Sequence, residues 1–290
     1  MKSIRQLFPL IILLFVICTR VDAQREHTLT GEFRSHKAFH SKFLKNDRDI
    51  LVYLPPGYDE RGKQRYSVLY LHDGQNVFDG ATSFIPGQEW QVDETAQRLI
   101  QQKLIEPLII VGIYNTPDRI NEYTPSADPK YKGGNADAYG RMIVEELKPF
   151  IDSHYHTKRD AKHTGIGGSS LGALVSGYLA LKYPNVFGKA AVVSPSVWFA
   201  NKEILSYIAH QPKKPNVRLW VDIGTHEGRN ETEAKETVEL ARLLRDALVA
   251  KHWRLGKDLI YFEAEGAEHN ERAWAARVEP MLRFLFPLNR

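Results

Sequence analysis

A single cysteine, Cys18, stands among 290 residues. That excludes an intrachain disulfide framework and a cysteine-built metal centre, so stability must come from a packed core. Charge of one sign is also scarce. A net charge of +4 with no dense Lys/Arg stripe does not describe a nucleic-acid binder. No apolar run reaches the roughly 20 residues that a bilayer span needs. Internal repeats, low-complexity tracts and Pro/Gly/Ser-rich linkers are missing too, so nothing divides the chain. What remains is the composition of an ordinary globular protein, 43% hydrophobic and 26% charged.

The start of the chain reads differently from the rest. MKSIRQLFPLIILLFVICTRVDAQ has basic Lys2 and Arg5, an apolar stretch from Leu7 to Cys18, and a small-residue cleavage site around Ala23. This is the pattern of a signal peptide over residues 1–23, with a mature chain of 24–290 that is periplasmic or secreted and has no membrane span. Bulky Ile17 before Cys18 argues against lipid attachment. The leader contains Lys2, Arg5 and Arg20 against Asp22, a net of +2, so half of the +4 leaves with it.

From Arg48 onward, β-branched and aromatic segments alternate with helical periodicity. The predicted strands are DILVYLP, SVLYLHD, PLIIVGIYN, HTGIGG, AAVVSPS, VRLWVDIG and LIYFEAEG. Near-continuous apolar runs of this length suit strands covered on both faces of a mostly parallel sheet. Predicted helices cover 90–103, 135–153, 171–183, 202–210, 231–252 and 270–286. Leu240, Leu244 and Leu248 share one face of the fifth. The alternation predicts a single α/β domain with a doubly wound, mostly parallel sheet and helices on both faces. Residues 27–47 read as an antiparallel hairpin at its edge. Ligands of open α/β sheets bind beyond the carboxyl ends of the strands, and the long irregular piece 114–134 lies at such an end.

Four glycines and two serines crowd into GIGGSSLG, residues 165–172, before the apolar run ALVSGYLALKY. Gly168-Ser169-Ser170-Leu171-Gly172 matches G-x-S-x-G, in which a strained strand-to-helix turn raises the serine. Glycines two positions either side of Ser170 remove the Cβ atoms that would collide there. The competing reading is a glycine-rich helix start with a serine N-cap.

A serine hydroxyl needs a base, and the base needs an orienting acid. In this pattern the chain order is serine, acid, histidine. His269 follows the last predicted strand. His72 precedes the serine, and His154 and His156 have no third metal ligand nearby. Glu227 lies just past VRLWVDIG, whereas Asp222 lies within that strand and is the weaker acid. The N–H of Leu171, at a helix N-terminus, and that of Gln75, in the HDGQN turn, are the candidate oxyanion donors.

At these residues the chain resembles the esterase D-like α/β-hydrolases. That family includes enterochelin esterases, feruloyl and acetyl-xylan esterases, S-formylglutathione hydrolases and mycolyltransferases. The matching pieces run in order over residues 48–286: VYLPPGYDE, VLYLHDGQNVFD, EWQVDE, RINEYTP, GGSSLGALVSGYLAL, VVSPSVWF, DIGTHEG and GAEHNERAW. It looks most similar to the exported siderophore-esterase-like branch. The resemblance implies an α/β-hydrolase fold, Ser170 as nucleophile, His269 as base, Glu227 as acid, and Gln75 and Leu171 as the oxyanion hole. Ala173 stands where many relatives have a second glycine after the serine turn.

Trp90, Tyr123, Trp198 and Trp274 lie in or beside segments expected to border the pocket, and would suit catecholate or feruloyl rings. Arg119, Arg229 and Arg272 would suit an anionic ligand. The expected substrate is therefore a small-molecule ester, a siderophore trilactone first and a feruloyl or acetyl ester of polysaccharide second. A non-catalytic ligand carrier on the same scaffold is the reading from another class. Nothing in the sequence implies a cofactor or metal, and oligomeric state is not legible in it.

Overall fold

The computed structural model describes residues 26–288. The signal peptide read at residues 1–23 lies outside them. Eight strands form the main sheet: β1 Glu32–Phe39, β2 Arg48–Leu54, β3 Ser67–His72, β4 Leu108–Ile113, β5 Thr164–Ser169, β6 Lys189–Val193, β7 Arg218–Gly224 and β8 Leu259–Ala264. Their spatial order is β1-β2-β4-β3-β5-β6-β7-β8. The first two pairings, β1/β2 and β2/β4, are antiparallel and the rest parallel. Every residue of β3, β4, β5 and β6 is buried. That is the environment their unbroken apolar runs require.

Six longer helices flank the sheet: α1 Val92–Gln101, α2 beginning at Ala136–Arg141, α3 Leu171–Lys182, α4 Phe199–Ala209, α5 Glu231–Ala250 and α6 Glu271–Leu285. α2 widens to a π turn over Met142–Leu147 and continues as Lys148–His154. The apolar side chains form two main core layers. One lies under α2–α5 and the other, on the opposite face, under α1 and α6. α3 is apolar all round and almost wholly buried, as a helix at the centre of such a fold must be.

Three expectations need correction. Residues 27–47 contribute one strand, β1, and its hairpin partner is β2 rather than a second strand within the segment. The fourth helical segment is entered at Phe199 through a left-handed turn of Ala200, Asn201 and Lys202 (φ 46–65°), and turns regular only beyond Lys202. The irregular piece 114–134 holds a short helix, Arg119–Glu122, and a two-residue ribbon pairing Ala127–Asp128 with Lys132–Gly133.

Candidate active site

The sheet register sets the site. Ser169 pairs with Val193 and Val193 with Asp222, so β5 and β6 end level and β7 runs two residues further, to Gly224. Their next residues open one edge of the molecule. An open cleft of about 370 Å³ lies there, walled by Asp73, Gln75, Ser170, His269, Glu271 and Trp274 among others.

Ser170 is the pivot between β5 and α3. Its backbone is left-handed (φ 58°, ψ −120°), a conformation that costs a non-glycine residue of order 1–3 kcal/mol. Its side chain makes no capping bond to the helix, which removes the reading of this serine as an N-cap. A Cβ on Gly168 would stand 3.1 Å from both the Gly172 carbonyl carbon and His72 Cβ. A side chain at that position would force these neighbours to give by a few tenths of an ångström, so glycine lets the turn close tightly. The Ser170 hydroxyl shares a hydrogen bond of 3.2 Å with Ser196 Oγ.

His269 comes directly before α6. Asn270 caps that helix, accepting from Ala273 N–H at 2.9 Å, which fixes where the imidazole emerges. Its Nδ1 lies 2.8 Å from Glu227 Oε2, and its ring meets the Trp274 indole edge-on at 5.0 Å. Glu227 is buried in the loop between β7 and α5. Its other oxygen accepts from Gly224 N–H at 2.7 Å, from the Ser194 hydroxyl, and from Arg277 Nη2 at 3.4 Å.

Asp222 turns away from the histidine. It accepts from Trp220 Nε1 at 2.6 Å and from Arg277 Nη1 at 2.7 Å. Burial pushes its carboxyl up to about 6, although Arg277 pulls the other way. Ser194 joins the two carboxylates: it donates to Glu227 and receives Trp274 Nε1 at 3.0 Å and Arg277 Nη2 at 3.2 Å. Sequence reading missed both Arg277 and Ser194. The available signal was an arginine inside the apolar stripe Trp274, Val278, Met281, Leu285 of α6.

On the facing wall, Gln75 sits in the single turn Gly74–Asn76 after β3. Its side-chain oxygen accepts from Asn115 N–H at 3.2 Å, and its carbonyl accepts from the Thr82 hydroxyl at 2.7 Å. Leu171 is the first residue of α3, so its N–H has no carbonyl in the preceding turn to meet. Gln75 borders the cleft, and Leu171 follows Ser170 directly.

The four residues read as substrate contacts fare differently. Arg119 lines the cleft, held to Asp73 by bonds of 2.7 Å from Nε and Nη2. Trp90 and Tyr123 do not reach it. Trp90 is buried against Trp274, and the Tyr123 hydroxyl accepts from Asp73 N–H at 3.2 Å within the core. Both brace the wall from behind, since an apolar ring next to a strand end gains more by turning into the core. Trp198 is exposed and packs on Tyr131 and Phe199, outside the cleft lining. The aromatic groups that do line it are Trp274 and Phe84, the latter 85% exposed at the mouth. Arg229 is spent on Glu233, and Arg272 points to solvent.

The histidines set aside on sequence grounds have other partners. His72 is buried, with Nδ1 2.8 Å from the Tyr139 hydroxyl, and burial pushes its pKa down to about 3. His154 and His156 use ring nitrogens on the carbonyls of Phe150 and Glu60.

The arrangement of sheet, serine turn and acid-bound histidine defines the class, an α/β-hydrolase-fold esterase, and comparison with known proteins agrees. The family described as "Putative esterase" matches residues 41–285, and the chain belongs to that family. It is a carboxylic ester hydrolase. Ferri-bacillibactin esterase BesA of Bacillus subtilis is 28% identical over 207 residues, covering 62% of this chain and 68% of its own. An endo-1,4-beta-xylanase/feruloyl esterase of Xylanibacter ruminicola is 27% identical over 242 residues, covering 81% of this chain but 29% of its own length. The crystal structure of an IroE-like serine hydrolase from Shewanella oneidensis superposes with a TM-score of 0.71 at 24% identity, covering 88% of this chain and 80% of that one.

Proposed function

We propose that the chain hydrolyses esters through an acyl-enzyme formed on Ser170. The observation that carries this reading is the 2.8 Å contact between His269 Nδ1 and the buried Glu227 carboxylate, on the same cleft as a serine at a strained turn. With Nδ1 engaged, Nε2 is left for the serine. Ser170 Oγ turns from Ser196, gives its proton to Nε2 and attacks the ester carbonyl. The N–H groups of Leu171 and Gln75 receive the developing oxyanion. His269 returns the proton to the leaving alcohol. Water, activated by the same imidazole, then splits the acyl-enzyme and restores the serine. Glu227 holds the imidazole in the required tautomer and stabilises its cation. A fluorophosphonate probe should label the wild type at Ser170 and leave Ser170→Ala unlabelled. A protein that resists the probe while binding an ester intact is a ligand carrier instead.

For the substrate, we place siderophore trilactones first. Similarity to a ferri-bacillibactin esterase over most of the domain supports this, as do Phe84 and Trp274 lining a cleft that Arg119 also borders. Feruloyl esters come second, on the similarity to the feruloyl esterase. Faster turnover of methyl ferulate than of a catecholate trilactone would reverse the order. We place the mature single domain, 24–290, outside the cytoplasm. An N-terminus beginning at Gln24 in the exported fraction would support that.

A further inference from the structure

The strongest unexplained chemistry lies away from the cleft, where the chain enters α1. Carboxylate oxygens of Glu89, Asp93 and Glu94 lie within 4.8 Å of one another. Glu89 and Asp93 are buried, the latter completely. Among the described residues no lysine or arginine forms an ion pair with any of the three. A fourth carboxylate, Asp79, is close enough to add to the negative potential at Glu89. It is itself taken up by His27 Nδ1 at 2.7 Å and by the N–H groups of Thr28 and Ala81.

Local donors account for part of the cluster. Thr30 N–H reaches Asp93 Oδ2 at 2.6 Å, and the Thr28 hydroxyl reaches Glu89 Oε1 at 3.1 Å. Gln91 N–H meets the other Glu89 oxygen. Acidic residues in a first helical turn also gain from the macrodipole. These partners leave a remainder. Asp93 Oδ1 and Glu94 Oε2 are buried atoms without a hydrogen-bond donor, and the two carboxyls lie within hydrogen-bonding reach of each other. Carboxylates in that relation need either a proton between them or a cation.

We propose that Glu89, Asp93 and Glu94 form a binding site for a hard divalent cation of the calcium class. All the donors are oxygens, with no histidine or thiolate in the set, which favours calcium over zinc. Oxygens that share a calcium ion bound at roughly 2.4 Å can be at most about 4.8 Å apart, and the oxygens of this cluster lie within that limit. Glu94 is only half-buried, so the cluster is open to solvent on one side, where water can complete the shell. A cation there would clamp Thr28 and Thr30 onto the start of α1. It would also stiffen the segment whose Trp90 packs against Trp274 at 5.6 Å.

The test uses the full mature chain stripped with chelator. Terbium, a calcium surrogate, is titrated while its luminescence is excited through tryptophan, since Trp90 adjoins Glu89. Calcium is then added back. We expect saturable emission displaced by calcium, and a thermal midpoint about 3–8 °C higher in excess calcium than in chelator. Both effects should be lost in Asp93→Asn and in the milder Glu94→Gln, and both kept in Ser170→Ala. A midpoint indifferent to calcium, or emission unchanged in the two variants, would overturn the site and leave a shared proton as its occupant.

Discussion

The protein holds two buried groups of carboxylates that are built in opposite ways. Asp222 and Glu227 are met by an arginine, a serine, an indole N–H and a histidine, and every carboxylate oxygen has a donor. Glu89, Asp93 and Glu94 meet only backbone N–H groups and threonine hydroxyls, and two of their oxygens have no donor. The first group is complete, with its charge held in place to orient an imidazole. The second is short of positive charge and takes it from outside. A buried carboxylate is costly in either setting. What differs is whether the fold itself supplies the counter-charge.

Breaking the first group at its reactive end should have the largest effect. Ser170→Ala should lower kcat/KM for p-nitrophenyl acetate by at least about a thousandfold with an unchanged thermal midpoint. Unaltered hydrolysis would reject the nucleophile. Glu227→Gln keeps the shape but offers Nδ1–H no anion. A loss in kcat of about a hundred- to ten-thousandfold is expected, and KM should change little.

Arg277→Met probes the counter-charge directly. It strands Asp222 and Glu227 in the core and should cost about 3–5 kcal/mol in denaturant unfolding. The matching change in the second group, Asp93→Asn, removes one of several like charges. In chelator it should alter stability by less than about 1 kcal/mol, in either direction. Equal losses in the two variants would mean that the groups are not built differently after all.

The smallest effect is on pH dependence. The Asp222 carboxyl is held at about 6 in the folded protein, above its ordinary 3.8. Its contribution to stability is therefore full below pH 3.8 and is lost as pH rises through 6. The drop in thermal midpoint between pH 4 and 7 should be smaller in Asp222→Asn than in the wild type. Identical profiles would show that Asp222 does not titrate in that window.

Much of this was legible beforehand. Strand existence followed from unbroken apolar runs, and strand ends placed Ser170, Glu227 and His269 on one edge. The edge hairpin was misread because β1, none of whose residues is fully buried, carries little apolar signal. Arg277 was missed because a buried cation on an amphipathic helix reads as a solvated residue until its partners arrive from β6, β7 and the following loop. Trp90, Tyr123 and Trp198 were overread. Sequence position brings a ring near the cleft, but its side chain's rotamer decides whether it faces the cleft.

By itself the amino-acid order determined the alternation of strands and helices and the tight turn at Ser170, because these depend on periodicity and on which residues lack a Cβ. Only the tertiary structure decided that Glu227 rather than Asp222 meets His269, that Arg277 neutralises both carboxylates, and that Glu89, Asp93 and Glu94 converge with no lysine or arginine paired to them among the described residues. Those outcomes depend on distances between groups far apart in the chain, and electrostatics over a few ångströms in a dry interior depends on distance far more than on sequence position.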